Sequence, residues 1–310
     1  MKLRPQFQNI SICSLDTTRR SVICGVSNIM AELKEEEYVH QVYNDIAPHF
    51  SQTRYKPWPI VSEFLMSREM GSIGIDVGCG NGKYLAVNPN VFILGSDRSS
   101  GLITCAHGIN SQYNVLIADG TRLPHRDNTF DFAISIAVVH HWSTRERRVG
   151  AIRHIISKVR PGGEVLIYCW ALEQGNSRRG YQEGMEQDVL VPWVLQDQKR
   201  DTKTDEKSGK KGKIQVPKPD LSTVPKHERS EFLNKWKLEQ EALRLKREQE
   251  LEEERKKLER ETKANTKYRY YHLYREGELE EDCQMAGGII VGQGYEKDNW
   301  YVVARKPGKS

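Results

Sequence analysis

The feature that most constrains this sequence is an acidic, glycine-rich turn that follows directly on an apolar run. The apolar run is Ile73–Val77, and the turn reads Asp76-Val77-Gly78-Cys79-Gly80-Asn81-Gly82. Glycine lets the backbone approach a bound ligand closely, because a Cβ atom at such a turn would collide with it. The pattern therefore predicts a buried strand whose end carries a ligand-binding turn, followed by a helix.

Two kinds of ligand use such turns, and the residues here distinguish them. A dinucleotide fingerprint reads Gly-x-Gly-x-x-Gly, whereas Lys83 stands at the position of its third glycine. The carboxylate of Asp76 would repel a pyrophosphate and attract a cation such as S-adenosylmethionine, which carries an ammonium and a sulfonium group. The turn resembles motif I of the class I methyltransferases. This resemblance predicts a cofactor site that includes Asp76, Gly78, Cys79, Gly80, Asn81 and Gly82.

Short apolar runs predict the rest of the fold. The runs are rich in Ile and Val and nearly continuous, which is typical of parallel strands buried on both faces. A helix is predicted over Ala31–Phe50 from its apolar spacing. The predicted strands are Ile73–Val77, Val91–Gly95, Val115–Ala118, Phe132–Ile136 and Glu164–Cys169, followed by a hairpin of Ile289–Val291 and Trp300–Ala304 connected by Gly292, Gly294 and Asp298-Asn299. The predicted class is α/β, a Rossmann-like class I methyltransferase fold with a mostly parallel sheet and a C-terminal antiparallel hairpin.

Two further acids follow the next strands along the chain. Asp97 comes shortly after Val91–Gly95, where a carboxylate can accept both ribose hydroxyls of a nucleoside. Asp119 comes directly after Val115–Ala118, and in the family this acid faces the adenine amino group. Loop Asp residues also commonly form turns or caps, but three at successive strand ends favour ligand contacts along one sheet edge. Ala137, which ends the fourth strand, is expected to face the transferred methyl group.

Composition divides the chain into four parts. Apolar residues make up 37% and charged residues 29%, which indicates that part of the chain does not join a core. Residues 1–30 are expected to be a disordered extension, with a weak transit peptide or a stretch upstream of a start at Met30 as alternatives. Residues 31–196 form the predicted methyltransferase core, 197–266 a charged low-complexity insertion, and 267–310 the strands that complete the same domain.

The second half of the insertion, from about residue 228 to 263, is rich in Glu, Lys, Arg and Leu. Its i,i+4 pairs, such as Glu252/Lys256, predict a helix. A thin leucine stripe has polar residues at the matching seam positions, so a coiled coil is not expected. A solvated helix is the favoured interpretation, and RNA contact by its basic face is the alternative. The leucines are Leu238, Leu245, Leu251 and Leu258, and the other pairs are Glu253/Lys257 and Glu259/Lys263.

The sequence lacks the features of a membrane-spanning protein and of a metal-binding or disulfide-linked one. No run of about 18 apolar residues is present, so no membrane-spanning helix is predicted. The six cysteines form no Cys-x-x-Cys pair and have no accompanying histidine cluster, so we expect no metal site and a reducing compartment. The net charge of +5 is compatible with a polyanionic partner without requiring one.

The nature of the methyl acceptor is constrained at the end of the fourth strand. The Asn/Asp-Pro-Pro-Tyr element of many amino-group methyltransferases is absent there, and so is the Pro-Cys nucleophile of cytosine-carbon enzymes. An oxygen or small-molecule acceptor is therefore favoured. His140 and His141 are candidate general bases, although adjacent histidines at a strand end can equally be polar caps.

Several sequence blocks are similar to the eukaryotic tRNA carboxymethyluridine methyltransferases, in a single-domain layout that resembles the fungal members. The resemblance covers about residues 38–195 and 267–305. The blocks are 37–40, 46–51, 53–59, 138–148, 168–174, 177–181, 187–193 and 268–275. Members of this family esterify the carboxylate of 5-carboxymethyluridine at the wobble position of tRNA to give the methoxycarbonylmethyl form. Such a carboxylate is already ionised at pH 7 and needs alignment rather than a general base.

The resemblance also implies residues for the substrate. Arg54, Arg178 and Arg179 are suited to hold the substrate carboxylate or RNA phosphates, because a guanidinium pairs with either as a planar fork. His141 and Trp142 are expected at the methyl-transfer end of the sheet. Trp58, Tyr181 and Trp193 could stack on an extruded base of the tRNA anticodon stem-loop.

The family further implies a partner. The run Asn114–Ala118 is expected at the sheet edge, and an apolar edge invites another strand. Family members form a heterodimer with a small zinc-binding activator protein that covers such an edge, so the zinc would belong to the partner. The expected location is the cytoplasm, with the nucleus as a second site.

Two rival interpretations stay open at this level. One is a methyltransferase for a small acidic metabolite or a quinone, in which case the basic surface would be narrow and tRNA would not bind. The other is a non-catalytic scaffold that holds an RNA or protein partner. The presence of Asp76, Asp97 and Asp119 together argues against a scaffold.

Overall fold

The computed structural model describes residues 28–53, 56–175, 177, 179–195, 219–222 and 224–308. It divides into two compact units, Met1–Trp193 with Tyr268–Ser310 and Val194–Lys267. The expectation of disorder for residues 1–30 lies outside the described residues except at 28–30, where it is wrong. Those three residues are helical, because they form the first turn of a helix whose later residues Ala31 and Glu35 are buried.

The first unit alternates helices and strands along the chain. A π-helical turn, Glu36–His40, separates the first two helices, and a 3₁₀ turn, Val139–His141, follows the fourth strand. The helices of this unit are α1 (residues 28–35), α2 (Gln41–Thr53), α3 (Pro59–Met66), α4 (Ser100–Ile109), α5 (Arg145–Lys158) and α7 (Glu278–Met285). The helix α6 (Arg229–Ala264) belongs to the second unit. The strands are β1 (Ile73–Val77), β2 (Phe92–Asp97), β3 (Val115–Ile117), β4 (Phe130–Ile136), β5 (Val159–Trp170), β6 (Asp188–Val194), β7 (Thr266–His272), β8 (Ile289–Glu296) and β9 (Asn299–Arg305).

Seven strands form one sheet in the order β3-β2-β1-β4-β5-β9-β8. Strands β1 to β5 pair in parallel, while β9 is antiparallel to both β5 and β8. The predicted fold class is confirmed, including the C-terminal hairpin and the position of β3 at the edge. Because the carboxyl ends of β1, β2, β3 and β4 share one sheet edge, the predicted site residues that follow these strands lie along that edge.

The hairpin differs from the prediction in its turn. Lys297 and Asp298 make the connection, with φ values of 47° and 65°, as a two-residue hairpin turn requires. Gly292 and Gly294 lie instead within β8. Gly292 follows a register shift, and Gly294 leaves room for the ring of Tyr301 across the ladder. Glycine in this strand therefore marks a bulge and a close packing contact rather than a turn.

Alternation along the strands gives the sheet two buried faces. On one face Ile75, Ala133 and Val165 pack against α5 and α7. On the other face Phe132, Ile134 and Leu166 pack against α3. Consecutive residues of one strand thus contribute to opposite cores, which explains why the predicted runs are continuously apolar.

A two-stranded ribbon of β6 and β7 lies apart from the main sheet. It is antiparallel, since the amide of Leu273 donates to Gln187 at one end and the amide of Leu195 to Asn265 at the other. The sequence analysis did not predict β6 as a strand. This ribbon matters for function because β7 brings two polar side chains, Arg269 and Tyr271, into the cavity described below.

The second unit is dominated by α6, a helix of 36 residues. None of its described side chains is buried, and Leu238, Leu245 and Leu251 are all exposed. The predicted pair Glu252–Lys256 forms at 3.7 Å. The helix is therefore solvated, as expected. No described helix of the protein combines the length and the apolar character needed to cross a bilayer.

Candidate active site

A cavity of about 610 Å³ opens at the carboxyl edge of the sheet and reaches from the glycine turn to β7. Eleven of the predicted site residues line it: Trp58, Gly78, Cys79, Gly80, Asn81, Asp97, Asp119, Ala137, His141, Trp142 and Arg179. Asp76, Gly82 and Tyr181 are close in sequence to these residues but do not contribute to the lining. Arg54 and Arg178 lie outside the described residues.

The glycine turn is held by hydrogen bonds to the neighbouring strand. The amides of Gly78 and Cys79 both donate to the carbonyl of Ser96, at 2.7 and 2.9 Å. Gly78 and Gly80 have positive φ values of 82° and 56°. A Cβ atom on Gly78 would clash with Val138, whereas one on Gly80 would meet only Phe50, at 3.9 Å. Gly80 therefore leaves space on the cavity side that a larger residue would fill.

Asp97 ties the turn to the end of β2. One carboxylate oxygen accepts from the amide of Gly80 at 2.9 Å, and the other accepts from the amide of Ser99 at 2.8 Å. Burial raises the pKa of Asp97 above its usual range, although these backbone hydrogen bonds oppose the shift. Each carboxylate oxygen keeps a lone pair for a ligand, which suits the predicted contact with ribose hydroxyls.

Asp76 lies behind the cavity wall rather than in it. Its side chain is fully buried, and neither carboxylate oxygen has a hydrogen-bond partner among the described residues. Burial, and then the charge of Asp97, raise the pKa of Asp76 to about 8. An unpaired buried carboxylate is costly, and a cationic ligand in front of it would offset that cost.

Asp119 is held at the other end of the same edge. Burial acts to raise its pKa, but hydrogen bonds from Thr121 and the charge of Arg98 bring the pKa below its ordinary value. The Arg98 guanidinium lies 2.7 Å from Asp119 and 2.8 Å from Glu36. Asp119 is consequently an ionised acceptor at neutral pH.

Trp142 belongs both to the cavity wall and to the core. Its indole packs over Gly120, about 3.2 Å from the position that a Cβ atom would occupy there, and joins the core with Val77 and Leu123. It therefore lines the cavity beside Asp119. Its expected place at the methyl-transfer end stays a prediction.

Ala137 and the two histidines follow β4 at the centre of the cavity edge. Ala137 has a φ of 60° and donates its amide to the carbonyl of Tyr168 at 2.7 Å. A non-glycine residue in this conformation costs about 1–2 kcal/mol and is characteristic of functional sites. His140 is fully buried, and its Nδ1 accepts from the amide of Trp170 at 3.1 Å. This geometry favours a structural role for His140.

His141 has both ring nitrogens engaged. Nδ1 lies 2.7 Å from the carbonyl of Tyr270 and must donate to it, so Nε2 accepts from the hydroxyl of Tyr43 at 3.0 Å. Burial, and to a smaller extent the charge of Arg269, lower the pKa of His141 to about 3. Of the two alternatives for this histidine, the geometry favours a neutral hydrogen-bonding element over a general base.

The predicted substrate residues separate into two groups. Arg179 is exposed, lines the cavity and places its guanidinium 4.0 Å from the ring centroid of Trp170. Trp58 also lines the cavity, half-buried against Tyr168. Tyr181 instead packs against an apolar cluster that includes Trp170, and Trp193 is buried with its indole nitrogen donating to His49. Stacking of Trp193 on an RNA base is therefore not supported, because its ring is enclosed by protein.

Arg269 and Tyr271, on β7, are cavity residues that the sequence analysis missed as site residues. Arg269 stands in the run Tyr268-Arg269-Tyr270-Tyr271-His272, which was recognised only as a family block. An arginine among tyrosines in a strand is a usable signal, but only when the strand is known to be buried. No group of three or more His, Cys, Asp or Glu side chains within the described ranges is arranged to hold a metal ion.

Comparison with known proteins places this geometry in a family. Residues 75–167 match a family profile described as "Methyltransferase domain". The chain is 64% identical over 274 residues to the tRNA (carboxymethyluridine(34)-5-O)-methyltransferase of Saccharomyces cerevisiae, and the match covers 88% of this chain and 97% of that protein. The chain belongs to the tRNA (carboxymethyluridine(34)-5-O)-methyltransferase family.

Two further comparisons agree with the assignment. The family member of Schizosaccharomyces pombe is 42% identical over 273 residues, covering 88% of this chain and 97% of that protein. In fold, the protein is similar to an S-adenosylmethionine-dependent methyltransferase from Clostridium acetobutylicum. That structure aligns with a TM-score of 0.52 at 10% identity, over 86% of this chain and all of that one.

S-adenosylmethionine is the cofactor of this methyltransferase fold, and the residues present fit it. The unpaired buried carboxylate of Asp76 suits a cationic ligand, and the open space at Gly80 suits a close approach to the backbone. The acceptor Asp97 ends β2, and the acceptor Asp119 comes shortly after β3 along the same edge. The residues predicted to bind the cofactor therefore remain candidates, and all of them except Asp76 and Gly82 line one cavity.

Proposed function

We propose that this protein methylates the carboxylate of 5-carboxymethyluridine at position 34 of tRNA, the wobble position, to give 5-methoxycarbonylmethyluridine. The observation that carries the proposal is the 64% identity, over 88% of the chain, to a protein of that printed activity. The geometry supports it, because one cavity joins an anionic glycine turn to a cationic and aromatic end on β7.

S-adenosylmethionine, when bound, supplies an electrophilic methyl group. The residues that would hold it are the turn Gly78–Gly82, Asp97 and Asp119. The acceptor oxygen needs no proton removed, since a carboxylate is ionised well below pH 7. The side chains of this protein therefore have to align the carboxylate and exclude water, and no described histidine in the cavity is required to take a proton.

The cavity walls perform this alignment. Ala137 follows β4 in a strained conformation and lines the cavity, and Trp58 and Trp170 form apolar walls. Arg179 is exposed at the cavity and suited to an RNA phosphate or a base. An arrangement held by packed aromatic rings keeps the reacting groups close and reduces the entropy lost on the way to the transition state.

The test is transfer of a labelled methyl group from S-adenosylmethionine to defined RNAs. We expect incorporation into tRNA carrying 5-carboxymethyluridine at position 34 and none into the same tRNA with an unmodified uridine. A labelled product that survives mild acid but is lost in base would identify a methyl ester. Transfer to small acidic metabolites with inert tRNA would favour the metabolite enzyme, and cofactor binding without transfer to any acceptor would favour the scaffold.

We further propose that a small zinc-binding activator protein docks on strand β3. This strand is short, lies at the edge of the sheet, and leaves Ile117 exposed. Unpaired backbone groups at such an edge can accept a strand from another chain. The resemblance of the sequence to a family that works as a heterodimer supports this partner.

The edge proposal has a matched control on the opposite edge of the sheet. Ile117 on β3 and Ile289 on β8 are both about half exposed, and the two strands are the two ends of the same sheet. Ile117→Lys should abolish co-purification with the activator, while Ile289→Lys should leave it intact. Loss with both variants, or with Ile289→Lys alone, would contradict docking on β3.

A further inference from the structure

We propose that Arg269 is the residue that receives the substrate carboxylate, and that it selects carboxymethyluridine over uncharged relatives. This inference rests on the proposed function and names the group that gives it specificity. Arg269 lies on β7, only 3% exposed, and contributes to the cavity lining. Arg179, which the sequence analysis favoured, is exposed and less suited to this task, because solvent screens its charge.

The first argument is that Arg269 has no anionic partner in the described part of the chain. Its hydrogen bonds there run only to the hydroxyls of Tyr271, at 2.8 Å, and Tyr43, at 3.5 Å. Its Nε is buried and has no acceptor. Arg148, which is also buried, faces the carboxylates of Glu278 and Asp282. A buried cation without a counter-ion is costly, which favours a role in binding a ligand that brings the negative charge.

The second argument is that aromatic rings hold the guanidinium in place. Its central carbon lies 4.6 Å from the ring centroid of Trp193 and 5.2 Å from that of Tyr271. Such contacts stabilise a desolvated cation without neutralising its charge. The site therefore keeps the charge available to a ligand, which an ion pair would not.

The third argument is that a directed chain of hydrogen bonds orients Arg269. Because Nδ1 of His141 donates to a carbonyl, Nε2 must accept from the hydroxyl of Tyr43. The oxygen of Tyr43 then accepts from the hydroxyl of Tyr271 at 3.2 Å, and the oxygen of Tyr271 accepts from Nη1 of Arg269. The donor and the acceptor of every hydrogen bond in this series are therefore determined, and the series holds the guanidinium at Nη1. Nη1 also donates to the hydroxyl of Tyr43, so three of the five N–H donors are left over, the one on the buried Nε and the two on Nη2.

The remaining donors match a carboxylate. A guanidinium can bind both carboxylate oxygens with two parallel hydrogen bonds. When the methyl group is transferred, an oxygen–methyl bond forms, the sulfonium–methyl bond breaks, and the carboxylate becomes a neutral ester. The ester has lost the charge that Arg269 binds, so the same residue favours the substrate over the product.

The experiment compares binding of anticodon stem-loops that differ only at the substituent of uridine 34. One carries carboxymethyl, one the uncharged carbamoylmethyl of the same shape, and one the methyl ester product. We expect the full-length wild-type protein to bind the carboxymethyl RNA most tightly. In Arg269→Gln the affinity for that RNA should fall by about 30-fold or more, while the affinity for the carbamoylmethyl RNA should change less than about threefold, so that discrimination is lost.

Arg179→Gln provides the comparison within the same cavity. We expect it to weaken binding of all three RNAs by a common factor, because an exposed guanidinium at RNA would contact groups that the three share. Loss of discrimination in Arg179→Gln with discrimination retained in Arg269→Gln would overturn the assignment. Equal weakening of all three RNAs by Arg269→Gln would also overturn it and leave Arg269 with a structural role.

Two measurements keep the test decisive if Arg269→Gln unfolds. Arg269→Lys retains the charge without the planar fork, and it should keep part of the discrimination together with a melting temperature near that of the wild type. A crystal structure of the wild-type protein with the carboxymethyl RNA should place the carboxylate within hydrogen-bond distance of Arg269. A carboxylate that is bound by another residue and lies out of reach of Arg269 would overturn the proposal. Wild-type protein that binds all three RNAs equally would also overturn the proposal, whereas failure to transfer a methyl group to the carboxymethyl RNA would contradict the proposed function.

Discussion

The hydroxyl of Tyr43 lies 3.0 Å from Nε2 of His141, on the side of the ring that a general base would need to keep free. The opposite nitrogen is occupied by the carbonyl of Tyr270. This pairing explains how a histidine at the end of β4 can line the cavity without taking part in proton transfer. It also links α2 to β7 through the turn after β4.

The first prediction concerns the pH dependence of turnover. Because burial lowers the pKa of His141 to about 3, its ring stays neutral throughout the range from pH 6 to 8. The turnover number at saturating cofactor and RNA should therefore show no ionisation near pH 6.5. His141→Gln, which keeps polar groups on the side chain, should lower the rate by less than about tenfold and leave the profile unchanged. A step in the wild-type profile near pH 6.5 that disappears in this variant would establish His141 as a base.

The second prediction concerns Asp76. Its pKa of about 8 in the folded protein lies above its ordinary value, so folding takes up a proton between about pH 4 and pH 8. Stability of the ligand-free protein should fall as the pH rises through that range. Asp76→Asn removes the titrating group, so its melting temperature should exceed that of the wild type by an amount that increases up to about pH 8.

The same variant should bind S-adenosylmethionine more weakly, since the buried negative charge is gone. The affinity of the variant for the cofactor should be lower by about tenfold for each unit by which the bound cation lowers the pKa of Asp76 in the wild type. Calorimetric titrations at pH 6.5 and pH 8 measure both effects. Equal affinities of the variant and the wild type at pH 8 would remove Asp76 from the cofactor site.

The third prediction separates backbone strain from cavity filling. Gly80 and Gly277 both have positive φ values, 56° and 80°, and a Cβ atom on either meets no close neighbour. Only Gly80 lines the cavity. Gly80→Ala and Gly277→Ala should each destabilise the protein by about 1–2 kcal/mol. Gly80→Ala alone should lose cofactor binding, and unaltered affinity in that variant would show that the ligand does not approach the turn.

The fourth prediction concerns the ion network behind the cavity. His272 lies between Asp188 and Glu278, at 2.9 Å from a carboxylate oxygen of each. Burial disfavours the charged ring, but the two hydrogen-bonded carboxylates raise its pKa above the usual value. A raised pKa in the folded state contributes stability that is fully present below about pH 6.5 and is lost as the pH rises through the folded value.

His272→Gln should therefore destabilise the protein by about 3 kcal/mol near pH 6, with a smaller difference at pH 8.5. Urea denaturation at the two pH values measures this change. His227→Gln is the control, because that side chain is 79% exposed beside Glu228 and should have no effect. A destabilisation by His272→Gln that does not depend on pH would indicate that His272 is neutral in the folded state.

Much of the fold was predictable because it depends on local patterns. Strand β1 and the acidic turn Asp76–Gly82 were located from apolar runs and glycines, whose effects act within a few residues. The edge position of β3 followed from the usual strand order of the fold. The π-helical turn Glu36–His40 and the strand β6 were not predicted, since each depends on contacts with residues distant in sequence.

The candidate site was predictable only at its cofactor end. Asp97 ends β2 and Asp119 comes shortly after β3, and the parallel pairing of those strands brings the two acids to one edge. The substrate end was not predictable in this way. The side chains of Trp142 and Trp193 are buried, which their positions in the sequence do not indicate. Arg269 lies on β7, which is separated from β5 in the sequence by the whole charged insertion.

The sequence by itself determined the class of the fold, the cofactor turn and the family, because these are encoded in contiguous residues with fixed spacing. Only the tertiary structure decided which charged side chains are buried and which are paired. Burial and pairing set the pKa of Asp76 and leave Arg269 without a counter-ion. Both properties arise from residues that meet only when the chain is folded, and their magnitudes depend on desolvation, which the spacing of residues along a chain does not specify.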